Sequence, residues 1–166
     1  MAGRKDAAGR RRARPLGAAQ PPVVFIVHDL ASASGALEAA RAARRPIVLR
    51  SPPGAIHAHG LGFLIALFAL ARERVPRARF TAVIDCDNDA AQAHRALALG
   101  AKHVAFRGHK RAGEALQSVA TQLKAELLPS GVPRRACRLD DPERAAEIAL
   151  AYLDQEGRLA KPKRSG

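Results

Sequence analysis

Tryptophan is absent from this 166-residue chain, tyrosine and methionine occur once each, and aromatic residues make up only 4%. So few ring faces leave little for base stacking on single-stranded nucleic acid. Two cysteines, Cys86 and Cys137, with no CxxC pair, exclude a disulfide-stapled scaffold. The longest apolar run, Leu61 to Ala71, falls short of the ~20 residues of a membrane span, so none is expected. A secretory signal with a charged head and a long apolar stretch is missing, and the Arg-rich start lacks the serine of an organelle transit peptide. These absences point to a cytoplasmic protein with reduced thiols. The motifs GxGxxG and GxxxxGKS/T are missing too, which removes the usual nucleotide cradles. Acidic residues are scarce, 15 against 28 Lys and Arg, for a net charge of +13.

Much of that excess sits at the ends. Arg4, Lys5, Arg10, Arg11, Arg12 and Arg14 face only Asp6 over residues 1–15, and Arg158, Lys161, Lys163 and Arg164 crowd the last nine positions. Segments rich in Gly, Ala, Pro and charge build no core. The expected organisation is a disordered basic tail over 1–20, one α/β domain over 21–157, and a second disordered basic tail over 158–166. Such tails suit weak, nonspecific contact with nucleic acid or an anionic surface, through counterion release.

Between the tails, apolar runs alternate with helical patterns. Val23 to Val27 is a continuous β-branched and aromatic run, which suits a strand buried on both faces. Ser32 or Ser34 can cap a helix reaching about Arg44, before Pro46. Ile47 to Leu49 reads as the second strand, ending at Arg50-Ser51-Pro52-Pro53-Gly54. A helix from Gly60 to Glu73 is apolar on every side, so it is expected either at the centre of the core or at an interface with a second copy. Phe80 to Ile84 is the third strand, Asp87, Asn88 or Asp89 opens the third helix, and Gly100 closes it. His103 to Phe106 is the fourth strand. The next helix carries Leu116, Val119, Ala120, Leu123 and Leu127 on one stripe. Ala136 to Leu139 reads as a weak fifth strand, and Asp140-Asp141-Pro142-Glu143 opens a last helix ending at Gly157. Phe25, Phe63, Phe68, Phe80 and Phe106 are expected to carry much of the core.

This alternation predicts an α/β fold with four to five parallel strands. Two architectures satisfy it, an open doubly wound sheet and half of a β/α barrel. In either, the loops leaving the strand C-termini share one edge, where ligands bind. Topology therefore gathers His28 and Asp29; Ser51, Gly54 and His57; Asp85, Cys86 and Asp87; Arg107, Gly108, His109 and Lys110; and Asp140 and Asp141. Asp85, at a strand tip, has the position of a general base, with His28 or His109 as the acid. Asp87 and Asp89 read more simply as helix caps. Arg107-Gly108-His109-Lys110 combines backbone N–H groups, a glycine and cations, the parts of an anion site, to which Ser51 and Gly54 add donors. No tight spacing of His, Cys and acids supports a metal, and no cofactor is expected.

Three stretches resemble the N-terminal half of class II fructose-bisphosphate aldolases. They are RRPIVLRSPPGA at 44–55, VPRARFTAVIDCDND at 75–89 and ALALGAKHVAFRG at 96–108, and the likeness spans residues 23 to about 128. It implies barrel-like βα topology and places Asp85 where that family has a proton-transfer Asp. Cys86 and Val83 stand where the family has His residues, one of them a zinc ligand, and Arg107 stands in place of an acid. The second barrel half is missing. The resemblance thus implies a degenerate, truncated relative without metal-dependent aldolase activity. The sequence leads to a binding protein for a small anionic metabolite, a sugar phosphate or carboxylate, or for a protein partner. A lyase or isomerase using Asp85, and a nucleic-acid binder acting through its tails, are the alternatives. A half barrel or an all-apolar helix needs cover, so a homo-oligomer is expected.

Overall fold

The computed structural model describes residues 22–159. The expected N-terminal tail, and the expected C-terminal tail beyond Leu159, lie outside the described residues. Six short strands, β1 (Val23–Ile26), β2 (Ile47–Arg50), β3 (Phe80–Asp85), β4 (His103–Phe106), β5 (Glu126–Pro129) and β6 (Ala136–Arg138), form one sheet in the order β5-β4-β3-β2-β1-β6. Every pairing is parallel. The helices are α1 (Leu30–Ala42), α2 (Ala55–Arg74), α3 (Ala90–Ala98), α4 (Lys110–Gln122) and α5 (Ala145–Leu159).

The first five strands step in one direction across the sheet. Uniformly handed crossovers then put their helices on one face. The helices pack in the matching order, α5 on α1, α1 on α2, α2 on α3 and α3 on α4. The opposite face carries Val24 and Ile26, Val48 and Arg50, Thr81, Val83 and Asp85, His103 and Ala105, and Glu126 and Leu128, by the alternation of side chains along registered strands. Residues from β1 through β5 on that face line a single cavity of about 320 Å³, so the sheet curls around it. The short link from Pro129 to Ala136 joins the two edge strands, which a flat sheet of six would hold ~24 Å apart. Among the described residues this is a singly wound sheet with every helix on one face, consistent with half of a barrel.

The expected fourth helix divides in two. It ends at Gln122, Lys124 takes a left-handed φ of 52°, and Glu126–Pro129 continues as β5. Leu127 therefore belongs to an edge strand beside β4, not to the helical stripe. Pro129 is tolerated there as the last residue of an edge strand. α1 starts earlier than expected because Asp29, not Ser32 or Ser34, is the cap: its carboxylate accepts from Ser32 N at 2.7 Å, and Ser32 Oγ accepts from Asp29 N at 3.2 Å. α2 starts at Ala55 and kinks at Gly60, whose φ of 79° no helix contains. Its 20 residues are long and apolar enough to cross a membrane, by length and composition alone, yet Leu61, Leu64, Leu67, Phe68 and Ala71 pack into the core.

Phe25, Leu37, Leu49, Leu64, Leu97, Leu139 and Leu153 are sealed from solvent. Phe68 and Phe106 are buried as expected, but Phe63 is 43% exposed on the outer side of α2. The alanines of α1 (Ala33, Ala36, Ala39 and Ala40) do the work of larger residues by letting α5 approach closely. Gly35 sets that approach: a Cβ there would sit 2.7 Å from Ala146 N and 2.8 Å from Ala145 Cβ. Gly35→Ala should therefore lower stability, since overpacking of about 1–3 kcal/mol exceeds the gain of about 1 kcal/mol in helix propensity. Urea denaturation reads the difference, and a variant as stable as the parent would show that α5 yields freely.

Candidate functional site

Asp85 ends β3 on the concave face, and its side chain is wholly buried. Five donors converge on its carboxylate. Oδ2 accepts from Arg50 Nε at 3.2 Å, Arg50 Nη2 at 2.7 Å and Gly131 N at 3.1 Å. Oδ1 accepts from Ser130 Oγ at 2.6 Å and Asp87 N at 2.9 Å. Ser51 Oγ accepts from Asp85 N at 2.9 Å, and Arg50 Nη2 also donates to Pro129 O at 2.7 Å. These contacts draw β2, β3 and the β5–β6 link together over the mouth of the curled sheet. A general base needs a lone pair open to substrate, and here the carboxylate's lone-pair sites are all taken. Sequence reasoning missed Arg50, Ser130 and Gly131. The available signal was Arg50 itself, a cation ending a strand in a sheet whose buried polar positions demand partners.

Cys86 is buried beside Asp85, and its thiol is pushed up to about 12 by burial first and then by the charges of Asp85 and Asp89. Burial and those charges disfavour the thiolate that nucleophilic attack requires. Asp87 pairs with Arg107, and the hydrogen bond, with the Asp87 charge, holds the guanidinium above its usual range. Gly108 lies against a ring: a Cβ there would be 2.6 Å from Phe106 Cζ, so its smallness serves packing. Lys110 sits 3.8 Å from Glu114 one turn along α4.

The remaining rim residues fall into separate groups. His28 Nε2 is 2.8 Å from Asp140 Oδ1, because β1 and β6 are neighbours and both residues lie just past their strands. Asp140 also accepts from Arg138, and these bonds, Arg138 first and then His28, keep its carboxyl below the usual range. Gly54 is the N-cap of α2 with φ 82°, and His57 is exposed in its first turn. Asp141 accepts from Glu143 N and Arg144 N in the turn that leads into α5. Among the described residues, no hydrogen bond joins Asp85, His28 and His109, and no group of three or more His, Cys, Asp or Glu could hold a metal.

One part of the rim stays open. Asn88, Ala90, Phe106, Gly108, His109 and Ala112 line a pocket of about 310 Å³ between the N-termini of α3 and α4. α3 is capped by Asp89, whose carboxylate accepts from Gln92 N at 2.9 Å. α4 has His109 at its cap with no side-chain bond and no acid in its first turn. No protein-family model and no curated protein matches the chain.

Removing the Asp85 carboxylate leaves the Arg50 charge buried without its partner. Asp85→Ala should cost about 3–5 kcal/mol, and Arg50→Met with Asp85→Leu should recover only part of it, because the apolar pair removes the orphaned Arg50 charge but leaves Asp87 N, Ser130 Oγ and Gly131 N without their acceptor. Paired urea titrations measure both. A near-neutral Asp85→Ala would mean that the network contributes little.

Proposed function

We propose that the chain is a non-catalytic binding protein that takes a small anionic metabolite, a phosphate monoester or a carboxylate, in the rim pocket between α3 and α4. The observation that carries this reading is the open N-terminus of α4. Its first-turn amides receive no side-chain acceptor from His109 and border a pocket also lined by Asn88 and Gly108. Helix N-termini favour anions through unpaired N–H groups and the macrodipole. Arg111 and Lys110 add positive charge in the same turn. Of the residues first gathered for an anion site, Gly108, His109 and Lys110 stay in this reading. Ser51 and Arg107 leave it, being committed to Asp85 N and to Asp87. Asp85 acts as a structural anchor, so no lyase step is assigned. Descent from barrel aldolases belongs to the same proposal, supported by the parallel strands laid down in sequential order.

Calorimetric titration with inorganic phosphate and glycerol 3-phosphate tests the site. Binding should weaken about tenfold when Asn88 and His109 are both replaced by alanine, the equivalent of one or two hydrogen bonds. Equal affinity in parent and variant would remove the ligand from this pocket.

Self-association is the second part of the proposal. Phe63 and Leu70 are 43% and 48% exposed on the outer side of α2, and no Asp, Glu, Lys or Arg occurs from Ala55 to Ala71. Two copies of a chain carrying +13 can thus meet along α2 without like charges opposed. Sedimentation velocity should give a dimer for the parent and a monomer for Phe63→Glu with Leu70→Glu. A monomeric parent at micromolar concentration overturns this part.

A further inference from the structure

The edge of the sheet opposite the rim pocket holds a second concentration of unspent chemistry. β2 and β3 are neighbours, with Ile47 abreast of Phe80, so the α1–β2 and α2–β3 connections lie side by side. Arg41, Arg44, Arg45, Arg77 and Arg79, with Ala40, line a cleft of about 170 Å³ there. Arg79 Nη2 donates to Arg44 O at 3.3 Å, and Arg45 Nη1 donates to Leu153 O at 2.8 Å. Among the described residues no carboxylate forms an ion pair with Arg41, Arg44, Arg77 or Arg79. Elsewhere some arginines are paired, as Arg50 is with Asp85, Arg107 with Asp87, Arg135 with Glu156 and Arg144 with Glu147, while Arg72, Arg74, Arg95, Arg111 and Arg134 form no ion pair among the described residues. What sets the cleft apart is the convergence of guanidiniums around one small space.

The backbone gives an independent sign. Arg44 and Arg77 hold left-handed φ angles of 53° and 71°, a conformation glycine takes at lower cost. α3 uses Gly100, at φ 94°, in the place after its C-cap that Arg44 holds after α1. A cation near a helix C-terminus interacts well with the macrodipole, which accounts for one or two such residues at each end. It does not account for five guanidiniums around one cleft, where they repel one another and two of them also carry a strained backbone.

We infer that this cleft is a phosphate site, distinct from the rim pocket and independent of that reading. Its volume equals the room of roughly five or six waters at ~30 Å³ each, enough for one or two phosphate groups but not for a whole nucleotide. Guanidinium forks match phosphate oxygens two at a time. Lys102 and Lys124, in the α3–β4 and α4–β5 connections, extend the basic edge past β4 and β5. With strands ~4.8 Å apart, that edge runs ~14 Å, so the seated phosphate can be free or part of a nucleic-acid strand.

The test compares the full chain with its Arg44→Gly/Arg77→Gly variant, so that the terminal basic segments are the same in both. Glycine suits both backbone positions, so the melting temperature should hold or rise. Inorganic pyrophosphate and a short single-stranded oligonucleotide are titrated separately at ~150 mM salt. A loss of about tenfold or more in pyrophosphate affinity supports the site with free phosphate as its ligand. Oligonucleotide binding without pyrophosphate binding, with the salt slope falling by about one to two in the variant, supports it with nucleic acid as the source. If neither probe binds the parent, or both bind the variant equally well, the inference is overturned and the arginines are helix caps. If instead Asn88→Ala/His109→Ala abolishes the binding and the glycine variant does not, the phosphate belongs to the rim pocket and the cleft is refuted.

Discussion

A buried carboxylate holds this fold closed. Asp85 sits at the tip of a central strand and draws in Arg50 from β2 and the amide and hydroxyl of the β5–β6 link. Without it, the link would have to lie across the concave side of a curled sheet with its own polar groups unpaired. Such groups stay buried only when paired. Arg50 closes the circuit by bonding Pro129 O as well, so one ion pair fixes the path of the chain from one edge of the sheet to the other. Packing alone would not specify that path, since the cavity on the concave face has only Val24, Val48, Val83, Leu128 and Pro22 as apolar lining.

The same pair explains why the rim has little chemistry despite its many titratable residues. Topology collects carboxylates, histidines, a thiol and cations along one edge, but hydrogen bonding then spends most of them on structure. Asp29 and Asp89 are caps, Asp141 bonds the amides of the turn before α5, Asp87 neutralises Arg107, and Asp140 is shared between Arg138 and His28. What remains unspent is the start of α4, and that of α2, where Gly54 supplies no side-chain cap. A site can therefore be recognised here by the absence of an expected acceptor, more than by the presence of reactive groups.

Sequence patterning made the parallel α/β alternation legible, because β-branched runs and helical stripes separate cleanly at β1 through β4. It failed at β5 for a definite physical reason. A helix stop is easiest to read when glycine takes the left-handed position, as Gly100 does after α3. After α4 that position belongs to Lys124, so the leucine stripe ran on without interruption into Leu127. The same substitution of a cation for glycine occurs at Arg44 after α1. The Asp85 network was invisible for a different reason: its partners lie 35 and 45 residues away, and only the curl of the sheet brings them together.

The singly wound layer also orders the charges. With all crossover helices running the same way, their N-termini meet the strand tips and their C-termini gather at the opposite edge. Acids collect at the first edge as caps, and arginines and lysines collect at the second, each complementing the helix ends nearby. Both edges depart from this balance. At the starts of α2 and α4 no acid answers the positive helix end, and between α1 and α2 the cations exceed what two helix ends can use. Both departures leave positive potential uncompensated, on opposite edges of one sheet. An anion at either edge would complete an electrostatic pattern that the rest of the fold satisfies from within.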